Sequence, residues 1–192
     1  MKRSTCSNRT TIGSPTPASP RRLDRPKVDV QRTQAAALPS YCRGRELHLV
    51  DVENLLGGAQ VTEDAVRRLR VEFDQLVASP CSPDDVHQVV ATSTWHTLAE
   101  AAFGWEVARP VFQEGPDGAD LALLDAGGWR PEQRFSKVVI GSGDHIFAAY
   151  ARRLRAAGVE VVVVSRPESL AYELRRAASS VVLASTRELE TA

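Results

Sequence analysis

"KVVIGSGDHIFAAYARRLRAAGVEVVVVS", residues 137–165, decides the fold. It opens as an apolar run, turns through Gly141 and Gly143, continues as a helix over 145–158 closed by Gly158, and returns to the run 159–165. Strands this free of polar residues, separated by a helix, belong to a parallel sheet covered on both faces. An acid, Asp144, stands where the strand meets the helix. Helix N-termini favour anions, so a cap is one reading of Asp144. The rest of the chain must say whether it is more.

The same alternation extends outward. "ELHLVD" (46–51) is a short apolar run ending in an acid, and "VHQVVATS" (86–93) reads as a second strand. "EVARPVF" (106–112) is a third, which Pro110 assigns to an edge. Between them, 62–79 carries Ala65, Val66, Leu69, Phe73, Leu76 and Val77 at helical spacing, with Thr62 as N-cap. The stretches 94–103, 118–127 and 168–179 also read as helices, and 180–185 as a last strand. The expectation is a three-layer α/β sandwich with a mostly parallel central sheet, Rossmann-like, over 46–186. Residues 187–192 are then a C-terminal tail.

Residues 1–45 differ in kind. They are rich in Ser, Thr, Pro and Arg, and carry ten Lys or Arg against Asp24 and Asp29, a net of +8. Such a stretch buries too little to offset its conformational entropy, so a disordered basic tail is expected. The remainder carries a net of −8. Three widely spaced cysteines, Cys6, Cys42 and Cys81, make neither a zinc cluster nor a disulfide framework. No apolar run spans a bilayer and no secretory signal opens the chain, which points to the cytoplasm.

Ligands of open parallel sheets bind beyond the carboxyl ends of the strands. Asp51 ends the first strand, followed by Glu53 and Asn54, and Asp144 follows the strand at 137–142, so both acids fall on one rim. Asp120 opens the helix after "EGPDG" and supplies a third carboxylate. Asp125, five residues on, is rotated by roughly 140° from it and takes a supporting place. Ser142 and His145, beside the Asp144 turn, are substrate-side candidates together with Asn54. Carboxylates brought together need a cation or a proton between them. An all-oxygen set of Asp51, Asp120 and Asp144 suits Mg²⁺ or Mn²⁺.

Other phosphate sites fit poorly. In a GxGxxG reading of "GSGDHIFA" the third glycine is Ile146, and Asp144 repels a pyrophosphate; no GxxxxGK[ST] occurs. A phosphatase with Asp51 as nucleophile has Glu53, not Asp, two residues on.

"LVDVENL", "GADLALLD" and the stretch from "VVIGSGDHIF" to "AYELRRAA" resemble, in order and spacing, the three blocks of NYN domains, a branch of the PIN-like ribonucleases. The resemblance covers 46–185. It implies a PIN-like fold, a divalent metal site and cleavage of RNA. Asp51 and Asn54 match the first block, Asp120 and Asp125 the second, and Asp144 the third. Two positions depart from the pattern: Ile146 stands where many members carry an acid, and Ser179 or Ser180 where many carry an Asp. The function expected is that of a metal-dependent endoribonuclease on single-stranded RNA. The competing class is an inactive domain that binds RNA or protein. A homodimer is the one self-association to be expected, and no membrane.

The histidines His48 and His87 are expected to be packed or hydrogen-bonded. The arginines at 152–155 and 175–176 should line solvated helix faces, and Trp95, Trp105 and Trp129 should pack at the core or its edge.

Overall fold

The structure, a computed structural model, describes residues 44–58 and 60–184. Nearly all of the expected basic tail 1–45, with Cys6 and Cys42, lies outside the described residues, as does the tail 187–192.

Among the described residues six strands form one wholly parallel sheet. They are β1 (Glu46–Asp51), β2 (Val86–Thr92), β3 (Arg109–Phe112), β4 (Lys137–Gly141), β5 (Glu160–Ser165) and β6 (Ser180–Leu183). Their order is β3-β2-β1-β4-β5-β6. The helices are α1 (Val52–Leu56), α2 (Glu63–Val77), α3 (Trp95–Gly104), α4 (Gly118–Gly127), α5 (Phe147–Ala156) and α6 (Tyr172–Ala177).

Alternation along each strand serves two cores. Leu47, Leu49, Ile140 and Val163 pack with Leu123 of α4, Phe147 and Leu154 of α5, and Leu174 of α6. Val50, Val90, Val139 and Val162 pack on the other face with Leu55 of α1, Leu69 and Phe73 of α2, and Ala101 of α3. Every central strand is thus apolar at both parities, which is why the sequence shows runs instead of alternation. Thr62 does cap α2, accepting from the Ala65 N–H at 3.2 Å. Pro110 does lie on an edge strand.

The fold class is as expected, with local differences. The α1 turn, which no periodicity announces, follows β1 at once and is closed by Gly57 in the left-handed region (φ +63°). Any Cβ at Gly57 would collide with the Arg166 guanidinium, whose Nη1 donates to Leu56 O at 3.0 Å. Helix α6 begins at Tyr172, not 168, because the chain after Pro167 is held in a loop by the Ala171 N–H to Gly143 O bond of 2.8 Å.

Trp105 packs as expected: it is fully buried, edge-on to Phe73 at 5.4 Å, and its Nε1 donates to Gln88 Oε1 at 2.7 Å. Trp95 and Trp129 do not; they keep 63% and 89% of their surface exposed. His48 is buried against Glu46 Oε2 at 3.0 Å, and His87 lies 2.6 Å from Arg45 Nη2. The helix arginines 152, 153, 155, 175 and 176 are exposed.

Candidate active site

Strand order fixes where a ligand can enter. The chain winds from β1 outward to β3, returns through α4, and starts again at β4 on the other side of β1. The crevice where this order reverses lies between the carboxyl ends of β1 and β4, which pair directly. Asp51 ends β1 and Asp144 follows β4. Asp120 arrives in the first turn of α4, the crossover helix itself.

Each acid is positioned by its local chain. Asp51 is buried at 6% exposure, and its Oδ1 caps α1 by accepting the Asn54 N–H at 3.0 Å. Asn54 then reaches across the reversal point, its Oδ1 accepting the Gly143 N–H at 3.0 Å. That bond ties the end of β1 to the turn after β4. Gly143 cannot carry a side chain, since a Cβ would lie 2.3 Å from Ser169 O. Ser142 is fully buried and its Oγ accepts the Asp144 N–H at 3.2 Å. Asp144 itself is half-exposed. Its Oδ1 accepts from the Ile146 N–H at 2.8 Å and lies 2.9 Å from His145 Nδ1, on an exposed ring.

Asp51 and Asp120 form the centre. Both are 6% exposed, and the carboxyls are close enough to share a proton. Burial pushes the Asp120 carboxyl up to about 7, and the charges of Asp51 and Asp144 add to the rise. Burial likewise raises Asp51 to about 6, with Glu53 adding to it and the Asn54 N–H opposing it. Asp120 Oδ1 is buried with no hydrogen-bond partner. A buried acceptor left without a donor is unfavourable unless something else occupies the place.

The structure therefore brings Asp51, Asp120, Asn54, Ser142 and Asp144 to one rim. Among the described residues no three His, Cys, Asp or Glu side chains close to a finished metal cage; the tight unit is the Asp51–Asp120 pair, with Asp144 close enough to act on Asp120 through its charge. Asp125 is exposed on α4, consistent with its rotation from Asp120. Glu53, two residues from Asp51, is engaged elsewhere: Oε2 accepts the Ser93 N–H at 3.1 Å and Oε1 the Thr97 hydroxyl at 3.0 Å. It anchors the loop after β2, a role the sequence did not disclose.

The two departures from the family pattern resolve differently. Ile146 packs against the α5 side of the core. Ser179 and Ser180 sit at the amino end of the sheet, where Ser179 Oγ accepts the Val161 N–H at 3.0 Å. An acid there would face away from this rim, so its absence does not thin the set.

The model of the NYN domain matches residues 49–185. No curated protein matches the chain. Among solved structures, a protein of unknown function from Vibrio parahaemolyticus aligns at 17% identity with a TM-score of 0.48. The alignment covers 77% of this chain and 96% of that one. No helix among the described residues is long and apolar enough to cross a membrane. The family points to a PIN-like nuclease fold, to divalent-metal chemistry and to interaction with RNA, and gives no ground for a homodimer. With its matched span holding every acid of the rim, the chain belongs to the NYN domain family.

Proposed function

We propose that this rim is a metal-dependent endoribonuclease site for single-stranded RNA, with Mg²⁺ or Mn²⁺ held by Asp51, Asp120 and Asp144. The observation that carries the reading is the buried Asp51–Asp120 pair, two carboxylates from separate elements set side by side at the sheet's reversal point. The residues fit a hard cation: the donors are all oxygens, and one of them, Asp120 Oδ1, is buried and unpartnered. A cation held by these residues would supply activation of a water and stabilisation of charge gathering on a phosphate.

The chain's own groups prepare the place. The Asn54 N–H aims the Asp51 carboxylate, and the Ile146 N–H aims that of Asp144. Asn54 Oδ1 fixes the distance between the two strand ends. In the absence of a cation, Asp120 and Asp51 hold a proton between them, so proton and metal compete for one position. The compartment we propose is the reducing cytoplasm, on cysteine usage alone.

Single-stranded RNA with Mn²⁺ should be cut, and EDTA should stop the cutting. Asp51→Asn or Asp144→Asn should slow cleavage about a hundredfold or more, the scale on which a transition-state electrostatic contact acts. Asp125→Asn should cost far less. RNA bound but left intact under every metal condition would refute the enzyme and leave a binding module.

A further inference from the structure

Two exposed aromatics on the carboxyl rim, Trp95 and Phe112, lie together. Trp95 is the first residue of α3, just past the end of β2, and Phe112 is the last residue of β3. Their rings meet edge to face at 5.3 Å. Phe112 is 38% exposed and Trp95 63%, so the Phe112 edge covers only part of the indole. An indole in water beside a second ring is a large apolar surface that folding has not used.

This pair is built into the same frame as the acids. In register, Asp51 pairs with Ala91, and Ala91 with Val111, which places Phe112 one residue further out on the rim. Two interstrand spacings, about 10 Å, separate β1 from β3. The start of α3 is fixed by Thr94, whose Oγ1 accepts the Thr97 N–H at 3.3 Å. Thr97 in turn donates to Glu53 Oε1 at 3.0 Å. The platform is thus coupled by two short links to the α1 turn that Asp51 caps.

The charge around it selects the kind of ligand group. Residues 46–192 carry a net of −8, and the rim is lined with carboxylates. A polyanion approaching without a cation is repelled there, so a foothold must be a neutral one. A nucleobase has a neutral π-face, and stacking on an aromatic side chain tolerates any base. We infer that Trp95 and Phe112 are a stacking platform that seats one unpaired base of the RNA strand beside the Asp51–Asp120 pair. The inference rests on the reading of the rim as an RNA site. It adds a base subsite, on the β3 side of the acids, that recognises single-strandedness and not sequence.

The test is binding of a fluorescently labelled oligouridylate by anisotropy, in an Asp120→Asn background so that the strand survives the titration. Trp95→Ala should weaken binding about tenfold, the order of one base–aromatic stack, and Trp95→Phe should restore most of it. The loss should be the same factor at low and high salt, because no phosphate contact is removed. An abasic oligonucleotide of equal length should bind the parent and the Trp95→Ala protein alike. Trp129→Ala, exposed at the opposite end of the sheet after α4, should change nothing. Circular-dichroism melts establish that each variant is folded. If Trp95→Ala and Phe112→Ala bind the oligouridylate as tightly as their parent, the platform is refuted while the RNA site stands. If the parent protein binds no oligonucleotide at all, the RNA reading falls and the platform with it.

Discussion

Replacing Asp120 by Asn should make the metal-free protein more stable at neutral pH, the reverse of the usual result for a buried polar residue. In the folded chain the Asp120 carboxyl holds its proton to about 7, against an ordinary 3.8. Between those values the native state keeps a proton that the unfolded chain has released, so stability falls as pH rises through the window. The difference corresponds to about 4 kcal/mol at most, less whatever Asp51, itself pushed up to about 6, takes by sharing the proton. Asn carries no charge, and its amide N–H can donate to the Asp51 carboxylate as the protonated acid does. For a domain of this size each kcal/mol moves the melting temperature by roughly 2–4 °C. In EDTA, Asp120→Asn should melt roughly 10 °C above wild type at about pH 8 and level with it near pH 4. Saturating Mn²⁺ should close the gap by raising wild type alone. A gap of equal size at both pH values would show that Asp120 is not strained by its charge.

Two further outcomes are expected. Asn54→Ala leaves the Gly143 N–H without its acceptor across the reversal point, and should cost about 1–3 kcal/mol in urea denaturation; an unchanged midpoint would mean that the two strand ends are held by pairing alone. Removing residues 1–43 leaves Arg45 O bonded to the Ser136 N–H, so the domain should fold as before while its RNA affinity loses much of its salt dependence. A salt slope equal to that of the full chain would assign the phosphate contacts to the folded body.

The layers and the rim were legible because both are written locally. Val and Ile runs at 138–140 and 161–164 report burial on two faces, and a parallel sheet with alternating helices sends every strand end to one side. Asp51, Asp120 and Asp144 could be placed there from chain direction alone. What pairs with what was not legible: that β4 lies beside β1 is a long-range choice that no window of sequence contains. Helix α1, at five residues, is too short to show a period. Residues 168–171 carry apolar Leu170 and Ala171 at positions that imitate a helix, yet a bond to Gly143 O holds the chain out of it. Glu53 stands two residues from Asp51, and nothing local shows that its carboxylate turns to Ser93 and Thr97, forty and more residues on.

The division of labour among the three acids bears on how related sequences should be read. Asp51 caps a helix, and Asp144 closes its own turn. A descendant that had lost all chemistry would still be selected to keep Asp, Asn, Ser or Thr at position 51, since these are the residues that cap. Asp120 accepts no such backbone bond: its Oδ1 has no partner, and its charge opposes folding. On the proposed reading, it is the metal chemistry that retains it. Among sequences of this kind, an acid at position 51 is therefore weak testimony of activity, and the residue at position 120 is the one to consult.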